Sequence, residues 1–369
     1  MSEQQYAPGT HPDLKPPIGQ SGILFWLKKN LFSSPFNVLL TLVTLYVLWI
    51  IIPPTLNWAF FDAVFYADSR ADCRELGGGA CWAFIDKRIG QFTYGFYPVE
   101  ERWRVILCFV LFLVAMLPIL WDKTPARRKM LWFSLAFPVI GYWLLVGGFG
   151  LEPVETTKFG GFMLTLVIGV TGIACSMPIG IALALGRQSD MPIIRWLSTC
   201  FIEFIRGVPL ITLLFVASTM LNYFLPPGTT FDLILRVLIM VTLFSSAYIA
   251  EVVRGGLQAI PKGQGEAADA LGLNYGKSMR FIILPQALKI SIPGIVNTFI
   301  GLFKDTTLVV IIGLLDPLGI GRASLSDIKW AGLAAEVYIF VALFFFICCF
   351  SMSRYSIYLE NKLHTGHKR

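Results

Sequence analysis

The chain has 369 residues, 56% of them hydrophobic and only 14% charged, with a mean hydropathy of +0.68. Soluble domains carry about 25% charged residues, so this balance excludes an ordinary soluble protein and points to the membrane. The net charge of +7 is modest; its distribution along the chain says more than its size, and no nucleic-acid partner is expected.

The first twenty residues are polar and proline-dotted, without the apolar core of a signal peptide. The first apolar run is therefore expected to stay in the protein as an anchor. A hydrocarbon layer of about 30 Å needs roughly 20 apolar helical residues to cross it. Eight stretches qualify: 36–56, 104–121, 130–150, 162–186, 208–225, 231–250, 287–303 and 336–353. The fold class expected is thus an all-α, polytopic membrane protein with about eight transmembrane helices. The run 304–315, KDTTLVVIIGLL, is too short to cross; it is either re-entrant or an extension of the seventh helix beyond a break.

Lysine and arginine bias sets the orientation. With the N-terminus inside, the segments 1–35, 122–129, 187–207, 251–286 and 354–369 face the cytoplasm and hold 18 Lys/Arg; the outer segments 57–103, 151–161, 226–230 and 304–335 hold 9. The short loop DKTPARRK, with Lys123, Arg127, Arg128 and Lys129, weighs most. Both termini are then cytoplasmic, 1–35 being an N-terminal tail. The external loop 57–103 is long enough to be partly folded. It carries Cys73 and Cys81, which in an oxidising compartment can form a disulfide and otherwise remain two free thiols. Cys108, Cys175, Cys200, Cys348 and Cys349 lie in or beside apolar runs, where a thiol packs as a small hydrophobe. The three histidines, His11, His364 and His367, are confined to the tails, so no histidine-based hydrolase, catalytic site or metal centre is expected.

The chain changes character near residue 159. Residues 36–158 read as a three-span extension; 159–369 read as the working unit, whose loops are rich in glycine, proline and paired charges. No internal repeat stands out. Glu203 and Arg206 are three apart on one helical face, as are Glu251 and Arg254. Each pair sits at the inner end of a span, either as an interfacial ion pair or as part of an inner gate. Arg236, near the outer end of its span, is expected to snorkel to the interface.

The longest inner segment, 251–286, contains GLNYGKS, which superficially suggests a phosphate-binding loop. That loop needs four residues between its glycines, and Gly272 and Gly276 are separated by only three. The segment reads instead as two short helices with a glycine joint. Pro261 suits the start of the first, Gly272 the left-handed residue that ends it, and Asn274 the cap of a second helix that Pro285 stops. Met279, Phe281 and Ile282 give this knob an apolar cluster, and a knob of that kind should dock.

EAADALG, then nine residues, then IILP, resembles the EAA signature of ABC-importer permeases. Glu266, Ala267, Ala268, Gly272, Ile282, Leu284 and Pro285 fall on its positions without a gap. The resemblance extends over about 159–355 and is closest to the polar amino-acid branch, through LGR at 185–187, FIEFIRGVPL, AYIAEVVRGGLQAIPKGQ and LFKDTTLVVIIGLLD. The added three spans resemble the larger permease of general L-amino-acid and glutamate/glutamine importers. The family implies a five-helix type I core at the C-terminal side, with segment 254–286 coupling to a separate ATPase. It implies four kinds of partner: an ABC ATPase dimer in the cytoplasm, a second permease or a second copy of this chain, a periplasmic amino-acid-binding protein, and membrane lipid. No cofactor would bind this chain itself, since ATP would be hydrolysed by the partner subunits, and this chain would lie in the bacterial inner membrane. Lys304, Asp305, Thr306 and Thr307 offer donors and acceptors for an amino acid; a structural arrangement capping a helix explains them equally well. The rival reading, a self-sufficient channel or ion-coupled carrier, calls for ionisable residues buried in mid-span, and the spans are nearly free of them.

Overall fold

The computed structural model describes residues 22–121, 123–220, 223, 226 and 231–363. Most of the expected tail 1–35, part of the expected span 208–225, most of the outer loop 226–230 and all three histidines lie outside these residues. The described chain is helical, with two isolated bridges, Val64 with Cys81 and Gly148 with Leu151. Seven helices are long and apolar enough to cross a membrane, or eight if one bent pair counts as a single span.

The chain divides into two compact units at Trp82/Ala83, inside the loop expected between the first two spans. The first unit holds α1 (Ile23–Asn30), α2 (Pro35–Leu56) and α3 (Arg70–Leu76). Ser34 starts α2 by accepting the N–H of Asn37 at 3.2 Å, and Pro35 takes the first helical position, where its missing donor costs nothing. Pro53 and Pro54 lie near its end, where the helix widens into a π turn over Asn57–Phe61. Beyond the turn, Ala80 N–H donates to Trp58 O at 2.8 Å and the Trp82 indole donates to Ala59 O at 2.8 Å. Cys73 and Cys81 are joined in a disulfide with Cα atoms 5.8 Å apart, which selects the bridged state of the two alternatives.

The second unit begins with α4 (Ala83–Tyr94), followed by the hairpin of α5 (Arg102–Leu120) and α6 (Arg127–Val146). Arg104, only 2% exposed, pins the head of this hairpin: it pairs with Glu101 at 2.6 Å and donates to Glu152 O at 2.6 Å. Then come α7 (Gly161–Gln188), α8 (Pro192–Gly207), α9 (Leu210–Phe215) and α10 (Leu233–Gln258). Here the structure corrects the sequence reading. The expected inner segment 187–207 is mostly one helix, and the described part of the expected span 208–225 is a short helix with a π turn, Leu210–Met220, meeting α8 at 101°. Pro209 lacks the N–H that would continue the ladder. α8 buries Ser198, Ile202 and Ile205 on α7 and α10 and exposes Ile193, Trp196 and Phe204 on its other side.

α10 is the central element, packed most extensively along α7 and the later helix Leu284–Asp305. Between helices in lipid there is no strong hydrophobic drive, so small residues that allow close approach matter. Gly180 of α7 is one: a Cβ there would lie 2.6 Å from Ile249 Cγ2 and 3.0 Å from Ser246 O of α10.

The last elements are α11 (Lys262–Ala270), α12 (Tyr275–Ser278), α13 (Leu284–Asp305), α14 (Pro317–Ser324) and α15 (Ala334–Leu363). Pro285 does not stop the helix. A π turn over Met279–Ile283 joins α12 to α13, and the helical path runs from Tyr275 to Ile312. An α-helical Pro285 ring would clash with the carbonyl four residues earlier, and the widened turn makes room for it. Nor is there a break after the seventh span: α13 passes directly into a 3-10 turn over Thr306–Ile312, so 304–312 extends that helix, and the left-handed Gly313 ends it.

Asp316 caps α14 by accepting Gly319 N–H at 2.8 Å; it is fully buried, and its Oδ2 has no partner among the described residues. Burial pushes its carboxyl up to about 6, against the pull of the capped N–H groups. The folded chain therefore holds this proton more tightly than the unfolded chain, and stability declines as pH rises from about 4 to about 6. Asp316→Asn, which retains a cap, should be more stable than wild type at pH 7, by up to about 3 kcal/mol, and lose that decline. Parallel melting profiles from pH 4 to 7 in detergent would contradict the burial.

Candidate functional site

The coupling segment folds from local backbone chemistry. Pro261 precedes the first turn of α11, and Gly272, at φ +71°, ends it. Leu273 N–H returns to Ala268 O at 3.1 Å and Gly272 N–H to Asp269 O at 2.9 Å, the paired closure that a left-handed glycine permits. Asn274 then caps α12 by accepting Lys277 N–H at 3.0 Å, and Ser278 N–H goes to Asn274 O at 2.9 Å. Four amides of this would-be phosphate loop, those of Gly272, Leu273, Lys277 and Ser278, are thus committed to closing and capping the two helices. Of the signature residues, Ala268 is buried, Ile282 and Leu284 are half-buried, and Glu266, Ala267, Gly272 and Pro285 are exposed. Beside them Leu271, Tyr275 and Phe281 stand 76%, 65% and 67% exposed. That is an apolar surface without a cover among the described residues.

Where α10 meets this segment, five charged residues form one cluster. Glu251 accepts from Arg254 one turn on, at 2.9 Å, as its spacing suggests. It also accepts from Arg187 at the end of α7, at 2.6 Å, and stands 3.5 Å from Arg206 of α8. Glu203 does not pair with Arg206, as the sequence reading had it; its partner is Arg187, at 2.8 Å. The Arg206 guanidinium lies over the Tyr248 ring, 5.7 Å from its centre. The cluster therefore ties together three helices, α7, α8 and α10. Arg187 was visible in the sequence only as part of LGR; its role needed the packing of α7 on α10.

Toward the other end of α13, the Thr306 and Thr307 hydroxyls donate to the Phe303 and Lys304 carbonyls at 2.8 and 2.9 Å. Lys304 and Asp305 make no side-chain hydrogen bond or ion pair among the described residues. Arg236 is not a snorkelling residue: it turns in to donate to Ser218 O at 2.6 Å, capping the short π turn after α9.

With this geometry in view, residues 176–365, a little over half of the chain, match the family described as "Binding-protein-dependent transport system inner membrane component". The chain belongs to that family. Full-length relatives agree with this assignment of the permease. The inner membrane amino-acid ABC transporter permease protein YhdY of Escherichia coli K12 is 52% identical over 97% of this chain and 97% of its own length. The glutamate/glutamine/aspartate/asparagine transport system permease protein BztC of Rhodobacter capsulatus is 47% identical over 95% and 96%. The probable glutamine ABC transporter permease protein GlnM of Bacillus subtilis is 36% identical, and covers 56% of this chain but 93% of itself.

The permease is thus a multi-pass inner membrane component whose signature segment continues from the helix bearing the charge cluster. Because the Glu251 side chain is 16% exposed and Glu203 is 55% exposed, their loss should differ. Glu251→Gln should lower stability by about 2 kcal/mol, the scale of hydrogen bonds to charged groups, while Glu203→Gln should cost about 0–1 kcal/mol. Equal melting shifts in the two variants would show that Glu251 is not the hub.

Proposed function

We infer that this permease forms half of the translocation path of an ABC importer for polar or general L-amino acids. The observation that carries this reading is the end-to-end correspondence with two amino-acid permeases, at 52% and 47% identity. A second permease, or a second copy of this chain, completes the path, and an external binding protein delivers the substrate. The termini face the cytoplasm, as the lysine and arginine bias supports. Residues 159–369 carry transport and 36–158 form an extension, which fits the shorter span of the glutamine permease relative.

ATP acts on a separate subunit. The knob around Glu266, Ala267 and Gly272 docks on that ATPase, its uncovered Leu271, Tyr275 and Phe281 providing apolar contact. ATP can drive alternating access only through contacts that differ between the two states, and this knob is where those contacts are made. Gly272→Asp places a side chain at φ +71° and a charge on the docking face. It should leave the chain in the membrane and abolish ATP-driven uptake in reconstituted transporter; retained uptake would refute the docking role.

Lys304 and Asp305 line the substrate path, one offering a donor for the carboxylate and the other an acceptor for the ammonium. Their lack of partners among the described residues favours this over a structural cap. Asp305→Ala should lose uptake while subunit assembly and ATPase binding persist, and normal uptake would sink the assignment. Reconstitution of this chain alone separates the importer from the ion-coupled carrier, since only the carrier would transport unaided.

A further inference from the structure

The α5–α6 hairpin packs closely on itself but only sparsely on α7 and α10. The gap between them is a cavity of about 1280 Å³. Its walls are apolar, with Phe109, Tyr142, Leu166, Val170 and Leu238 among them, and its rim at one end carries Glu155, Thr156, Thr157 and Asp232. We propose that this cavity is a binding site for one bilayer phospholipid of the zwitterionic, amine-bearing phosphatidylethanolamine class. An acyl chain fills the apolar part, and the headgroup ammonium rests at the Glu155 and Asp232 carboxylates.

Three observations select this occupant. The first is depth. The α7 residues along the wall run from Phe162 to Thr171, about 14 Å at 1.5 Å per residue, which is about half of a 30 Å hydrocarbon layer. The cavity is therefore one leaflet deep, and its polar rim falls where headgroups lie. The second is the lining. An unfilled space between packed helices forfeits the dispersion contacts of its walls, and apolar walls give water too few partners. In a bilayer the filler at hand is an acyl chain.

The third is charge. Among the described residues that line the cavity none is cationic, whereas two are carboxylates. An anionic headgroup would face repulsion there, and a free amino acid would find no cation for its carboxylate. The rim carboxylates keep acceptor capacity for an ammonium. Asp232 uses one oxygen to cap α10, on Ile234 N–H at 2.9 Å and Leu235 N–H at 3.3 Å, and the other accepts the Thr156 hydroxyl. The Glu155 carboxylate, among the described residues, accepts the Thr157 hydroxyl at 3.1 Å.

The test uses the assembled transporter, extracted from membranes and washed in mild detergent, then exchanged into vesicles of phosphatidylethanolamine or of phosphatidylglycerol. Native mass spectrometry should find one phosphatidylethanolamine retained per copy of this chain, and far less phosphatidylglycerol. Leu166→Trp, which projects an indole ring into the acyl-chain path, should retain markedly less lipid, and Glu155→Gln should narrow the preference between the two headgroups. No retained lipid in the wild-type complex, equal retention of phosphatidylglycerol, or unchanged retention in Leu166→Trp would each overturn the proposal. As a check that needs no variant, a structure of the wild-type complex with brominated-chain phosphatidylethanolamine should place bromine between α6 and α10. A helix of a partner subunit found in that space would refute it.

Discussion

The close approach of α7 to α10 is the contact from which the rest of the second unit follows. Lipid tails are as apolar as leucine, so these helices gain little from mere burial and depend on how near their backbones can come. Gly180 lets Ile249 and Ser246 sit against it. That places the end of α7 beside the end of α10, and only then can Arg187 reach Glu251. α8 joins by lending Glu203 and Arg206 to the same cluster. The signature segment leaves α10 a few residues beyond Glu251, so the geometry of the knob is anchored on the same contact.

The charge cluster is asymmetric, with three guanidinium groups and two carboxylates. Glu251 is the more enclosed of the two acids and serves three arginines, while Glu203 sits mostly in the open with one. Stabilisation of this kind depends on pairing, because an enclosed charge left without its partner costs more than the pair gained. Any state of the permease that separates α7 from α10 must therefore find new partners for Glu251, or admit water to it.

Much of this was legible in the sequence where local chemistry decides. Gly272, Asn274 and Pro261 fix a turn, a cap and a helix start from their own covalent constraints, and the structure places them so. The spans were legible because about 20 apolar residues have few other uses. What failed was whatever depended on distant neighbours. Glu203 and Arg206 have the spacing of a local pair, but α7 supplies a better-placed arginine for Glu203. The segment 187–207 read as an inner connection, helical only around Glu203 and Arg206, because its charges mask an amphipathic helix that needs α7 and α10 to rest on. Pro285 looked like a stop because a proline forbids the regular ladder, and a π turn is a detour that composition does not announce. The cavity beside α5 and α6 was invisible, being a gap rather than a residue.

That detour at Pro285 has a mechanical consequence. Had the helix stopped there, the second half of the signature segment, from Tyr275 on, and the residues Lys304 and Asp305 would belong to separate bodies, joined by a hinge. Because the path from Tyr275 to Ile312 is unbroken, they are two stations on a single rod of 38 residues, roughly 55 Å at the rise of an α-helix. A body of that length needs no relay of side-chain rearrangements: a tilt at its Tyr275 end would displace its Ile312 end in the same stroke.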